Sequence, residues 1–336
     1  MFLHPAIIAL LGGSLITTAM LIYSSYVGIV IIRRWDISSS SEGQLLLERK
    51  TYLLSTIMSF VLALSILSTF LFIYTVDDLH RLFVGAMCAT GSLNANPVGW
   101  YVLFLKIGIF FLASIWIAMN YIDQRAEDFP LVKKKFVLLL FITPLLITDT
   151  YLQFRYFLGL NPNIITSCCG SLFNKEGRGV AAGLSGLPLK PAMIVFYLAV
   201  SGFILNALLT LFLQNSAARY LLSVFSVVLF VVAIASIISF ISLYFYEIPT
   251  HHCPFDLLQG YYNYIGYPLY FTLFGGTLFG MLPGIFEPFK KIPSLNVLIN
   301  RVQKKWVVLS IFFIVMFAAI SSWPIIFSSF TMEGYY

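Results

Sequence analysis

The stretch that decides the fold runs from residue 53 to residue 76 and reads LLSTIMSFVLALSILSTFLFIYTV, without one charged side chain. A run of about 20 apolar residues is long enough to cross the hydrocarbon core of a membrane as a helix. The whole chain has the same character, because 60% of its residues are hydrophobic and only 10% are charged. A soluble domain carries about 25% charged residues. The sequence therefore predicts an integral membrane protein that lies in a lipid bilayer.

Seven further stretches are long and apolar enough to span a membrane. We therefore predict an all-α integral membrane protein with about eight transmembrane helices. Pro144, Pro283 and Pro324 fall inside three of the spans and are expected to kink those helices. The predicted spans are 6–32, 53–76, 99–121, 136–158, 192–214, 219–246, 266–286 and 306–329.

Basic residues are concentrated in alternate connections between the predicted spans. The first, third and seventh connections are rich in Lys and Arg, whereas the second holds only Arg81 and the sixth holds none. The positive-inside rule places the odd-numbered connections in the cytoplasm. Both termini and the second, fourth and sixth connections are then extracytoplasmic, in a plasma or inner membrane. The fourth connection is the exception, because it carries three basic residues on the outer side.

The net charge of +6 follows from these orientation signals and does not indicate binding to nucleic acid. The spans divide into a first four-helix half at 1–158 and a second at 192–336, joined by an extracytoplasmic loop at 159–191. In each half the second helix leads to a loop with a cysteine and then to a helix that begins with glycine and an aromatic residue. We therefore consider a parallel repeat of two related halves, an arrangement known in transporters.

All four cysteines fall in the predicted extracytoplasmic loops. Cys88 is in the second connection, Cys168 and Cys169 are in the fourth, and Cys253 is in the sixth. Disulfides form on that side of a membrane. We predict that Cys88 and Cys253 each pair with one of the two central cysteines, which would stabilise the fold by about 2–4 kcal/mol per bond.

The run from Cys253 to Asp256 has the shape of a Cys-x-x-Cys redox motif in which Asp256 replaces the second cysteine. The first thiol of such a motif has a pKa lowered by nearby positive charge or a helix N-terminus. His251 and His252 directly precede Cys253 and are candidates to supply that charge, while Asp256 would oppose it or accept the proton. Cys253 is therefore the candidate nucleophile.

Because Asp256 has no thiol, the resolving partner of Cys253 must be another cysteine. We expect Cys168 or Cys169 in this role, and we include Cys88 among the candidate catalytic residues. Cysteines in separate outer loops above a helical bundle resemble the plan of vitamin K epoxide reductases, although this chain has more helices and no intact Cys-x-x-Cys motif. The resemblance implies a quinone as electron acceptor. As partners we expect an extracytoplasmic redox protein or the subunits of a membrane complex.

The same residues allow other interpretations. His251, His252, Cys253 and Asp256 offer soft and borderline ligands that suit copper or zinc. Alternatively, the cysteines form only structural disulfides in a non-enzymatic membrane scaffold, anchor or transporter subunit. Our best functional hypothesis from the sequence is extracytoplasmic redox chemistry, by thiol–disulfide exchange or as a membrane subunit of an electron-transfer complex.

Two charged residues fall inside predicted spans. Lys106 lies about two turns from the outer end of the third span, and Asp149 lies in the outer half of the fourth, which runs in the opposite direction. With a rise of 1.5 Å per residue their depths agree within about 5 Å. An unpaired charge at that depth is costly, so we predict a Lys106–Asp149 ion pair. As a function for this pair we consider a proton path or the polar wall of a quinone pocket.

Overall fold

The computed structural model describes residues 4–36, 38–39, 41–161, 163, 166 and 180–332, without the side chains of 180–182. Within these residues the chain is helical and contains no strand. Eight helices are long and apolar enough to cross a membrane, which confirms the predicted number of spans. They are α1 (Pro5–Arg34), α2 (Glu42–Asp78), α3 (Gly99–Asp123), α4 (Val132–Leu158), α5 (Leu189–Leu213), α6 (Ser216–Ser236), α7 (Gly266–Phe286) and α8 (Pro293–Phe327).

Shorter helices fill several connections. A helix at Ala89–Asn94 follows α2, and one at Val180–Ser185 precedes α5. Helix α6 continues through a π-helical turn, Ile237–Ile241, into Ser242–Tyr246. Single 3₁₀ turns lie at Leu79–Leu82, Asp256–Leu258, Gly260–Tyr262 and Glu287–Lys291.

Two helices begin well before the spans predicted for them. Helix α2 begins at Glu42 rather than at residue 53, and α8 begins at Pro293 rather than at residue 306. The extra turns of α2 are polar, so hydropathy does not reveal them. They are helical because the Ser41 side chain accepts a hydrogen bond from the Gln44 backbone N–H and so caps the first turn.

The described chain divides into two compact units. The first consists of Met1–Leu79, Ser92–Ile164 and Ile292–Leu295. In it α1 packs against α2 and α4, and α3 packs against the same two helices, which gives a closed ring of four helices. Trp116 and Phe136 are fully buried in its core. The Trp116 indole N–H donates to the Lys135 carbonyl over 2.8 Å.

The second unit consists of His80–Gly91, Ile165–Lys291 and Asn296–Tyr336. Its central helix is α6, which packs against α5 and α7. The small-residue face of α7 allows close packing, because a Cβ at Gly276 would lie 2.5 Å from the Ile314 side chain of α8. A Cβ at Gly280 would lie 3.1 Å from the Phe203 ring of α5.

Many large apolar side chains point away from both cores. Phe60 of α2, Phe104 of α3 and Phe212 of α5 are each more than 60% exposed within the chain. A soluble protein rarely leaves so much apolar surface in contact with water. These faces are suited to the hydrocarbon of a lipid bilayer, and the protein is a multi-pass membrane protein.

Candidate functional site

Two cysteines from distant parts of the sequence meet inside the second unit. Cys88 directly precedes the helix Ala89–Asn94, and Cys253 lies in the segment between Tyr246 and α7. Their Sγ atoms are 3.3 Å apart, and both residues are fully buried. This separation is about 1.2 Å longer than a disulfide bond, so the sulfurs are in contact but not bonded.

The segment before Cys88 is held to the rest of the unit through its backbone. The Gln259 side-chain amide donates to the Met87 carbonyl over 2.5 Å, and the Thr166 backbone N–H donates to the Val84 carbonyl over 3.1 Å. The chain turns so tightly here that a Cβ at Gly91 would lie 2.5 Å from the Ala86 Cβ. A glycine at this position therefore allows the turn that carries Cys88.

The backbone around Cys253 is fixed by two tyrosines. The hydroxyl group of Tyr246 donates to the Cys253 carbonyl over 2.5 Å, and that of Tyr270 donates to the Pro254 carbonyl over 2.7 Å. In addition, the Thr90 hydroxyl lies 3.5 Å from the Cys253 sulfur. Cys253 is thus held in a fixed position with a hydroxyl group beside its sulfur.

Asp256 lies next to the two thiols. It begins the 3₁₀ turn Asp256–Leu258, and only 6% of its surface is exposed. Its Oδ2 atom contacts Nε2 of His251, while its Oδ1 atom has no hydrogen-bond partner among the described residues. A carboxylate oxygen of Asp256 and the sulfurs of Cys88 and Cys253 all lie within 4.8 Å of one another. We call these three residues the thiol cluster.

The adjacent histidines have different partners. His251 contacts Asp256, and its ring packs edge-on against Tyr246 with 4.8 Å between the centroids. His252 is buried, and its Nδ1 atom donates to the Ile238 carbonyl over 2.9 Å. In the π-helical turn the Ser242 N–H bonds to the Ile237 carbonyl, five residues back, rather than to Ile238. Neither histidine belongs to the thiol cluster. Their predicted role as metal ligands stays a prediction.

The electrostatics of the thiol cluster extend to Tyr262, whose ring lies 4.5 Å from that of Tyr246. Partial burial, followed by the negative charges of Asp256 and Cys253, raises the pKa of the Tyr262 hydroxyl above its usual value. The surroundings of the thiol cluster therefore disfavour additional negative charge.

Cys168 and Cys169 lie outside the described residues. The predicted bonds from this pair to Cys88 and Cys253 therefore stay a prediction, as does the role of Cys168 or Cys169 as the resolving thiol. The described geometry instead places Cys88 itself beside Cys253. Sequence spacing could not indicate this contact, because 165 residues separate the two positions.

In the first unit the predicted ion pair is confirmed. Lys106 Nζ lies 2.9 Å from Asp149 Oδ2, and both side chains are almost completely buried. The ammonium group also donates to Ser68 Oγ over 3.3 Å and lies 5.6 Å from the centre of the Phe72 ring. The pair neutralises two charges inside the membrane helices. Its role in binding a cofactor stays a prediction.

Sequence reasoning missed two further buried ion pairs. Lys135 Nζ lies 2.7 Å from Asp123 Oδ2 in the first unit, and Arg219 Nη1 lies 2.8 Å from Glu287 Oε2 in the second. In the sequence, Lys135 and Arg219 lie at the ends of predicted spans, where basic residues are expected as orientation signals. For Lys135 a signal was present, because α3 ends at Asp123 and the first turn of α4 carries three lysines, at 133–135. Consecutive antiparallel helices bring those ends together.

Comparisons with protein-family models, curated proteins and solved structures find no match to this chain.

Proposed function

We propose that this protein carries out thiol–disulfide exchange on the extracytoplasmic side of a plasma or inner membrane, with Cys88 and Cys253 as the exchanging pair. The observation that carries the proposal is the 3.3 Å contact between their sulfurs. A movement of about 1.2 Å converts this contact into a disulfide bond. The proposal replaces our expectation from sequence, because Cys88 takes the resolving role first given to Cys168 or Cys169.

The reaction needs an oxidant, and a disulfide on an extracytoplasmic redox protein is the chemical class that fits. When the connections that bury Cys253 open, its thiolate attacks one sulfur of that disulfide, which forms a mixed disulfide and releases one thiolate on the partner. Cys88 then loses its proton and attacks Cys253, which releases the second partner thiolate. The balance is two electrons and two protons transferred from this chain to the partner, and one new disulfide in this chain.

The groups around the sulfurs support this chemistry. Asp256 has an oxygen close to both thiols and is suited to accept the proton that Cys253 must lose. The Thr90 hydroxyl is placed to donate to the resulting thiolate. A hydrogen bond to the charged form favours that form and lowers the thiol pKa. Burial and the negative charge of Asp256 act in the opposite direction.

The order of the membrane helices also supports one location for both cysteines. Cys88 follows the second span and Cys253 follows the sixth. Four spans separate these two connections, so both cysteines fall on one side of the membrane. The positive-inside rule makes that side extracytoplasmic, where protein disulfides form and persist.

The test is a redox titration of the purified protein in detergent, read by alkylation and peptide mass spectrometry. We expect a peptide linked through Cys88 and Cys253 that is reduced reversibly at about −180 to −270 mV, the range of exchange-active proteins. If the bond stays intact below about −300 mV, it is a structural disulfide and the scaffold, anchor or transporter interpretation replaces this one. If no such linked peptide forms on oxidation, the pairing itself is wrong.

A further inference from the structure

The thiol cluster collects three potential metal ligands in a buried place. Cys88 and Cys253 are fully buried and Asp256 nearly so, and their ligand atoms lie within 4.8 Å of one another. Among the described residues, Oδ1 of Asp256 is buried and has no hydrogen-bond partner. A buried carboxylate oxygen without a partner is costly. This oxygen is therefore available to accept a bond from a further group.

We propose that the reduced thiol cluster binds one Zn²⁺ ion through the sulfurs of Cys88 and Cys253 and a carboxylate oxygen of Asp256. The inference rests on the proposed thiol–disulfide chemistry, because only the reduced pair offers two thiolates. Three protein ligands leave the fourth tetrahedral position open.

The distance between the two sulfurs is compatible with both zinc binding and disulfide formation. A tetrahedral zinc ion with Zn–S bonds of about 2.3 Å holds two sulfurs about 3.8 Å apart. A disulfide holds them about 2.05 Å apart. The observed 3.3 Å lies between these values. Opening by about 0.5 Å admits the metal, and closing by about 1.2 Å makes the bond.

The charges select zinc among the soft and borderline metals. Two thiolates and one carboxylate carry three negative charges, of which Zn²⁺ offsets two and Cu⁺ only one. Cu⁺ is satisfied by two thiolates alone, which leaves Asp256 without a role. Mg²⁺ and Ca²⁺ prefer oxygen ligands throughout. His251 in contact with Oδ2 also orients the carboxylate, as outer-shell partners of metal ligands do.

Zinc binding and disulfide formation exclude each other. Binding replaces the two thiol protons with two Zn–S bonds and releases both protons. When the partner disulfide oxidises the pair, the sulfurs bond to each other and Zn²⁺ leaves. The site would therefore hold zinc only while the protein is reduced, so that zinc protects the thiols from oxidation.

The experiment uses full-length protein in detergent, reduced with a phosphine and checked for two reactive thiols at Cys88 and Cys253 by alkylation. Zn²⁺ is titrated against a chromophoric chelator, and Co²⁺ is used as a spectroscopic probe. We expect one ion per chain, a thiolate-to-cobalt charge-transfer band, and the visible bands of tetrahedral Co²⁺. Asp256→Asn should weaken zinc binding at least about 10-fold, and Cys88→Ser should remove the charge-transfer intensity of one thiolate. The matched control is Glu127→Gln, which removes one exposed carboxylate elsewhere.

Other outcomes would each contradict a different part of the proposals. If both thiols are reduced but no Zn²⁺ binds, the zinc site is wrong while thiol–disulfide exchange stands. If Cu⁺ binds and Zn²⁺ does not, or if Asp256→Asn binds zinc as tightly as the unchanged protein, the proposed ligand set is wrong. If the two thiols cannot be reduced without unfolding, both the exchange chemistry and the zinc site are wrong. A cooperative thermal unfolding transition verifies that the Asp256→Asn protein is folded.

Discussion

The two units each bury a polar site, and the two sites differ in kind. In the first unit, Lys106 and Asp149 project from facing positions of α3 and α4 and neutralise each other over 2.9 Å. In the second unit, the thiol cluster comes from connections between helices and brings together two thiols and a carboxylate. The first site pairs one cation with one anion, whereas the second places two sulfurs beside one carboxylate. The comparison contrasts an ion pair between two membrane helices with the cluster on which both of our proposals rest.

The largest expected effect comes from opening the closed pair. Lys106→Met leaves the Asp149 carboxylate buried without its cation, and breaking one side of a buried ion pair costs about 3–5 kcal/mol. Thermal unfolding in detergent should show a large loss of stability. The double variant Lys106→Met/Asp149→Leu should recover most of it, because an apolar pair of similar volume needs no solvation. A stable single variant would mean that the pair is not the closed structural site described above.

The second-largest expected effect is the stabilisation of the protein when the thiol cluster is oxidised. In a Cys168→Ser/Cys169→Ser background, oxidation should stabilise the protein by about 2–4 kcal/mol, because a bond between Cys88 and Cys253 closes a long loop. Adding Cys253→Ser should abolish the difference between oxidised and reduced protein. If oxidation has no effect in that background, Cys88 and Cys253 do not bond to each other, and the bonds to the central cysteines that the sequence predicted remain the alternative. Unfolding with and without reductant measures the difference.

A third prediction tests whether the two units differ as a whole or only in the two sites compared above. Arg219 and Glu287 form a buried pair in the second unit, but Glu287 also accepts from Ser216, Gln303 and Lys290. Arg219→Met should therefore cost only about 1–3 kcal/mol, the effect of a lost charged hydrogen bond. A loss as large as that of Lys106→Met would show that the additional partners do not compensate. The same thermal unfolding assay compares the two variants directly.

The sequence predicted the parts of the fold that depend on local composition. Apolar runs identified eight spans, and the helical rise per residue placed Lys106 opposite Asp149. The polar beginning of α2 was not predicted, because a capped helix outside the membrane has no hydropathy signal. The contact between Cys88 and Cys253 was not predicted either, for another reason. Four cysteines allow three pairings, and loop packing selects among them. The Ile238 carbonyl that holds His252 depends on a π-helical turn with no sequence signature.

The smallest effect tests how finely the thiol cluster is adjusted. Thr90→Val keeps the shape of the side chain but removes the hydroxyl beside the Cys253 sulfur. Because that hydroxyl stabilises the thiolate, the pKa of the Cys253 thiol should rise, by less than about one unit for one weak hydrogen bond. Alkylation rate against pH measures it in the reduced protein. Thr148→Val is the matched control, since its hydroxyl bonds only within α4 and is exposed. A shift with Thr148→Val as large as that with Thr90→Val would mean that the change is nonspecific. A shift confined to Thr90→Val would show that the second unit adjusts a reactive thiol, a property for which the closed ion pair of the first unit has no counterpart.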